Sequence, residues 1–256
     1  MALITGSGSN SGIGFSTAVF LARMGATVFL TGASERVNDR ASELRADGFE
    51  AFSAAADLTD EIQVSNLVGK IISTVGRLDI VVNNAGMTSV AEPMESSGES
   101  GSVSELTKTK WEASLNRNVT TAFLVTKYSL EHLRKSGHGR IVSVSSVTGP
   151  VMAMNNDAAY AAGKAAMVGL TRAIAIDEAN YGITANAVAP GWIETESQTE
   201  NEARQGELVP AGRSATPSEV AACIGFLAST EAAYVTGQVL VVDGGNSIHE
   251  ERATKI

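Results

Sequence analysis

No apolar run in this 256-residue chain approaches the ~18 residues that a membrane-spanning helix needs, so no membrane partner is expected. It has a single cysteine, Cys223, which excludes an internal disulfide. Cys223 sits among apolar neighbours in a predicted helix and reads as core rather than as a nucleophile. There is no basic run, and the formal net charge is −9, which argues against nucleic acid and anionic membrane surfaces as partners. The opening Met1-Ala2-Leu3-Ile4-Thr5-Gly6 lacks the basic region of a secretory signal and turns glycine-rich at once. With the lone cysteine, this makes a reducing cytoplasm the expected location. Linkers, repeats and composition breaks are also missing, so residues 1–256 are expected to form one domain.

What the chain does have is alternation. Strand-like apolar runs are predicted at 2–5, 27–31, 50–56, 78–83, 140–145, 184–188 and 238–242. Between them lie helical patterns at 16–24, 35–47, after a cap at Thr59, at 109–135, at 158–180, and from Pro217 to about Ala228 behind a Thr216-Pro217-Ser218-Glu219 capping box. A β-α-β order of this kind demands right-handed crossovers and a parallel sheet covered on both faces. The predicted fold class is therefore α/β: a single-domain, doubly wound Rossmann fold with a central sheet of about seven strands. The Ser-, Gly- and Glu-rich stretch 92–104 reads as a surface insertion.

Two features carry chemistry. The first is Gly6-Ser7-Gly8-Ser9-Asn10-Ser11-Gly12-Ile13-Gly14, between the first strand and the first helix. Glycines there permit a tight turn, and the helix N-terminus offers N–H groups to an anion. The acid that would hold an NAD ribose at the end of the second strand is replaced by Gly32. Thr31 and Ser34 could donate hydrogen bonds to a 2′-phosphate, and Arg36 could supply charge. NADP(H) is thus favoured over NAD(H), with Glu35 as the counter-argument. The second feature is Tyr160 and Lys164, four residues apart and so one turn apart on one helix face. The ammonium is expected to lower the phenol pKa and make Tyr160 a general acid/base. Ser145 and Ser146 close the strand upstream, where open parallel sheets keep their active sites.

These motifs resemble the short-chain dehydrogenase/reductase family over nearly the whole chain. The glycine motif matches as Gly8-x-x-x-Gly12-Ile13-Gly14, with a lead-in two residues longer than usual, which leaves open whether Gly6 or Gly8 faces the cofactor. The resemblance implies an adenine contact at Asp57-Leu58, a sheet-bracing motif at Asn83-Asn84-Ala85-Gly86, and a structural, proton-relay role for Asn118. It implies catalysis by Ser146, Tyr160 and Lys164, Ser146 standing 14 residues before Tyr160. It also implies nicotinamide contacts from Ile193 and Thr195 in Pro190-Gly191-Trp192-Ile193-Glu194-Thr195. Tyr160 and Lys164 would touch the cofactor as well as the substrate. No metal is implied.

The resemblance makes the chain an oxidoreductase that passes a hydride between NAD(P) and a small-molecule ketone or secondary alcohol. The substrate loop is expected at 193–213, which is polar and acidic. Val151, Met152 and Met154 could line a moderately apolar pocket, whereas Asn155, Asn156 and Asp157 could meet hydroxyls. A 3-oxoacyl-[acyl-carrier-protein] reductase is the alternative, and its acidic partner would need a basic dock, for which Arg134, Lys135 and Arg140 are the candidates. A non-catalytic dinucleotide-binding redox sensor is a further alternative. Family likeness, and the apolar residues of the 158–180 helix, point to a homotetramer or homodimer.

Overall fold

Among the described residues the chain forms seven strands: β1 (Ala2–Thr5), β2 (Val28–Gly32), β3 (Ala51–Ala55), β4 (Ile80–Asn83), β5 (Arg140–Val144), β6 (Thr184–Pro190) and β7 (Val239–Val242). They pair in parallel as one sheet in the order β3-β2-β1-β4-β5-β6-β7. Strands β1, β5 and β6 are buried at every position, as expected when helices cover both faces. The computed structural model describes residues 1–86 and 100–250. Of the expected insertion 92–104, residues 92–99 lie outside the described residues.

The helices are α1 (Ile13–Arg23), α2 (Arg36–Ala46), α3 (Glu61–Val75), α4 (Lys108–Leu115), α5 (Thr121–Ser136), α6 (Ala158–Asp177), α7 (Glu200–Glu207) and α8 (Pro217–Ala228). Successive side chains of a strand point to opposite faces, and β1 feeds two cores. Ile4 joins Leu21, Leu44 and Ile224 under α1, α2 and α8. Leu3 joins Ile71, Leu133 and Ile174 under α3, α5 and α6. No helix among the described residues is long and apolar enough to cross a membrane.

Three local expectations change. Asp60, not Thr59, caps α3, its carboxylate accepting from the amides of Ile62 and Gln63. Thr59 is held instead in a turn on Asp57, to which both its amide and its hydroxyl donate. The helix predicted as unbroken over 109–135 is interrupted by a π turn, Asn116–Thr120, between α4 and α5. Inside the expected substrate loop, Thr199 and Glu202 form a reciprocal capping box that starts α7.

The strand order reverses between β1 and β4. Beyond the carboxyl ends of those two strands lies the crevice in which open α/β sheets bind ligands.

Candidate active site

The loop that follows β1 is pressed against the loop that follows β4. Asn84 is the clamp: its side-chain amide donates to the Thr5 and Gly6 carbonyls at 3.0 and 3.1 Å. The Thr5 hydroxyl in turn accepts from the Asn84 and Ala85 amides, each at 2.9 Å. A side chain at Gly14 would place its Cβ 2.5 Å from the Gly6 carbonyl oxygen and 2.6 Å from the Asn84 amide nitrogen. Gly6 itself has φ +66°, and a Cβ there would meet Asn84 at 2.8 Å. Bare backbone is therefore required where strand, loop and helix meet. Helix α1 is capped by Gly12 without any capping side chain, and its first turn holds no acid. Its leading N–H groups face the loop as an anion site would need.

The chemical groups gather at the carboxyl ends of β4 and β5. Ser146 is buried and accepts from the Thr148 amide at 3.1 Å, and its hydroxyl is near enough to the Tyr160 phenol to lower that phenol's pKa. Ser145 points elsewhere, donating to the Lys164 carbonyl at 2.9 Å. Lys164 is 3% exposed, and its ammonium donates to the Val144 carbonyl at 3.0 Å, 5.5 Å from the centre of the Tyr160 ring. The π turn carries Asn118, whose Nδ2 donates to the Ser114 carbonyl at 3.0 Å. Its buried Oδ1 has no partner among the described residues. A Cβ at Gly86 would lie 2.9 Å from that oxygen and 3.2 Å from the Lys164 ammonium, so both groups converge over Gly86.

The electrostatics depart from expectation at Tyr160. Its phenol is pushed up to about 12, chiefly by burial, with a smaller lowering from the nearby Ser146 hydroxyl and further raising by the carboxylates of Asp157 and Glu202. Spacing predicts a lowered value, but the ammonium is turned to the Val144 carbonyl and burial prevails. Lys164 is pulled down to about 8, again by burial. Asp157, buried beside the start of α6, has its carboxyl raised by burial and then by Glu202.

The other expected cofactor residues divide. Gly8, Asn10, Gly12 and Ile13 lie in or next to the glycine loop, and Ser34 and Arg36 are exposed at the end of β2 and the start of α2. A Cβ on Gly8 would come 3.7 Å from the Arg36 Cβ, which places Arg36 against that loop. Thr31 turns away: it is fully buried, and its hydroxyl donates to the Ala54 carbonyl at 2.8 Å. Leu58 contributes its side chain to the core, beside exposed Asp57. Pro190 ends β6, the Gly191 amide donates to Val242 at 2.9 Å, and the Thr195 hydroxyl pairs with Ser197 at 3.0 Å.

The three candidates for a basic dock do not form one. Arg140 is buried and donates to the Ser229, His138, Gly139 and Gly182 carbonyls. Arg134 makes a two-pronged pair with Glu178 and lies over the Tyr181 ring, and Lys135 pairs with Glu131. An open cleft of about 500 Å³ is lined by residues including Glu194, Glu207, Arg213 and Glu219, with neither Ser146 nor Tyr160 among its lining residues. A smaller one of about 230 Å³, lined by Leu106, Trp111 and Ala158 among others, begins two residues from Tyr160.

The glycine cradle, the uncapped helix start and the orphaned oxygen over Gly86 fit a nicotinamide dinucleotide. Comparison with known proteins agrees. A family model described as "Enoyl-(Acyl carrier protein) reductase" matches residues 6–247. A cis-4-hydroxycyclohexanecarboxylate dehydrogenase from Sinomonas cyclohexanicum is 38% identical over 249 residues, 96% of this chain and 95% of the relative. The oxidoreductase UcpA of Salmonella typhimurium is 36% identical over 262 residues, 97% of this chain and 95% of its own. The 3-oxoacyl-[acyl-carrier-protein] reductase FabG of Escherichia coli is 36% identical over 249 residues, 96% of each chain.

Proposed function

The chain belongs to the short-chain dehydrogenase/reductase family and is an oxidoreductase acting between alcohol and carbonyl with a nicotinamide cofactor, and from that premise we propose the following roles for its residues. The bound nicotinamide supplies or takes the hydride. Tyr160 gives its proton to the substrate carbonyl oxygen in reduction and takes it back in oxidation. At neutral pH its phenol is protonated, the form that reduction needs. Ser146 holds the same substrate oxygen and steadies developing negative charge. Lys164, charged below about pH 8, stands behind the phenol and binds the nicotinamide ribose. Asn118 Oδ1 and Lys164 continue the proton path over Gly86. The observation that carries this reading is the meeting of Asn118 of the π turn, Ser146 after β5, and Tyr160 and Lys164 of α6 at the carboxyl ends of β4 and β5.

Gly6, Gly8, Asn10, Gly12, Ile13 and Gly14 cradle the diphosphate. Asp57 and the Leu58 backbone meet the adenine, Asn84 to Gly86 the middle of the cofactor, and Pro190, Gly191, Ile193 and Thr195 the nicotinamide. The cofactor is NADP(H), a reading supported by Gly32 in the acid's place and by exposed Arg36 beside Gly8. The substrate is a small ketone or secondary alcohol, held between the apolar cleft at Trp111 and buried Asp157, which suits a substrate with hydroxyl groups. The enzyme works in the cytoplasm as a homotetramer or homodimer, supported by the exposed Leu240 and Val241 of edge strand β7.

Purified protein mixed with NADPH or NADH and a panel of hydroxylated and plain ketones tests the proposal by absorbance loss at the reduced-nicotinamide band. Tyr160→Phe should reduce turnover at least about a hundredfold, the range of a lost general acid, while cofactor affinity stays within about twofold. Unchanged turnover in that variant would remove Tyr160 from its role. Tight cofactor binding with no turnover across the panel would favour the redox sensor.

A further inference from the structure

Between Gly8 and Gly12, the glycine loop carries two serines that make a long-range contact. The Ser9 hydroxyl donates to Oε2 of Glu196 at 3.1 Å. The Ser11 hydroxyl accepts from the Glu196 amide at 3.1 Å. The same Glu196 oxygen lies 3.7 Å from a terminal guanidinium nitrogen of Arg36. Two serines of the loop thus grip one residue of the segment after β6, far away in sequence. Its carboxylate is set on a hydroxyl and a guanidinium, the two kinds of donor that bind a phosphate.

We infer that Glu196 is a cofactor-selectivity residue: its carboxylate is an internal anion on Ser9 and Arg36, which the 2′-phosphate of NADP(H) must displace before it can use them. The inference rests on the proposed use of Arg36 for that phosphate. A carboxylate and a phosphate monoester compete for the same donors, and they repel each other if both remain. NAD(H) carries no 2′-phosphate, does not need Arg36, and meets no such competitor there. Glu196 therefore narrows the preference for NADP(H) that Arg36 creates.

Titration calorimetry with NADP+ and NAD+ tests this on the wild type, Glu196→Gln, Arg36→Ala and the double variant. Glu196 and Arg36 are both about half exposed at the side chain, so the substitutions are mild, and melting curves will confirm folding. Glu196→Gln should tighten NADP+ by about three- to tenfold, the scale of an exposed ion pair plus one like-charge repulsion, and alter NAD+ less than about twofold. Arg36→Ala should weaken NADP+ about tenfold or more. In the Arg36→Ala background the gain from Glu196→Gln should shrink, because it acts through Arg36. An equal gain for both cofactors, no gain, or a gain that survives loss of Arg36 would overturn the inference. If Arg36→Ala leaves NADP+ binding unchanged, it is the proposed cofactor site that fails; if Arg36→Ala weakens NADP+ but Glu196→Gln has no effect, only the selectivity role fails.

Discussion

Lys164 is a buried charge with one hydrogen bond, and it should be a burden on the fold. Its ammonium titrates at about 8 in the folded chain against 10.5 when free. The unfolded chain therefore holds this proton more tightly. The sign follows: the penalty is full below about pH 8 and relieved as pH rises towards 10.5, so this group makes stability rise with pH across that window. The shift corresponds to roughly 3 kcal/mol at neutral pH. Lys164→Met keeps the stem and removes the charge. It should stabilise the protein by about 1–2 kcal/mol at pH 7 after loss of the bond to Val144, raising Tm by about 3–6 °C, and it should abolish turnover. Calorimetry at pH 7 and 9.5 checks this, because the gain should shrink at the higher pH. A variant less stable than wild type at pH 7 would show that the buried ammonium is not a net liability. In the unmodified enzyme, reductase kcat/KM should fall as pH rises through about 8 and Lys164 loses its charge.

At the scale of elements, the site depends on how closely α6 approaches the π turn. Gly163, between Tyr160 and Lys164, lets them meet: a Cβ there would come 3.1 Å from the Asn118 Cβ. Alanine is worth about 1 kcal/mol over glycine inside a helix, whereas overpacking costs about 1–3 kcal/mol. Gly163→Ala should therefore change stability by at most about 2 kcal/mol in the unfavourable direction, measured by urea titration. Its kcat should drop about tenfold or more, because Asn118 and Lys164 are pushed apart. Unchanged kcat would mean that their spacing is not critical. This junction also shows where the sequence stops being informative. Apolar runs such as Leu-Asp-Ile-Val-Val-Asn announce buried strands, and the ordered motifs announce that Ser146, Tyr160 and Lys164 belong together. The π turn leaves no trace, since one wide turn barely disturbs a helical pattern. Helix α7 was legible in principle from Thr199 and Glu202, but an acidic, polar stretch without an apolar stripe reads as loop. The raised phenol of Tyr160 was not legible, because spacing gives the neighbouring ammonium and says nothing of burial or of where that ammonium turns. The grip of Ser9 and Ser11 on Glu196 is wholly non-local and has no sequence signature.

At the scale of the molecule, an acidic chain carries an apolar edge. Among the described residues strand β7 ends the sheet with only β6 beside it, and Leu240 and Val241 are each 37% exposed. Around it Phe226, Tyr234 and Ile248 are exposed as well. An unpaired strand edge with apolar side chains invites a second chain to cover it. The net charge of −9 opposes this, since two copies repel. Salt decides the balance: repulsion between surface charges is screened beyond about 8 Å at physiological ionic strength, while apolar burial is not weakened. Light scattering at 0.15 M salt should therefore give a mass two or four times 26.5 kDa, and the mass should fall in dilute buffer of very low salt. Leu240→Glu adds a charge where the edge is apolar, and it should shift the population towards 26.5 kDa at both salts. A wild-type mass of 26.5 kDa at 0.15 M salt would mean that the edge is left bare, and that β7 avoids aggregation through the repulsion of the acidic surface alone.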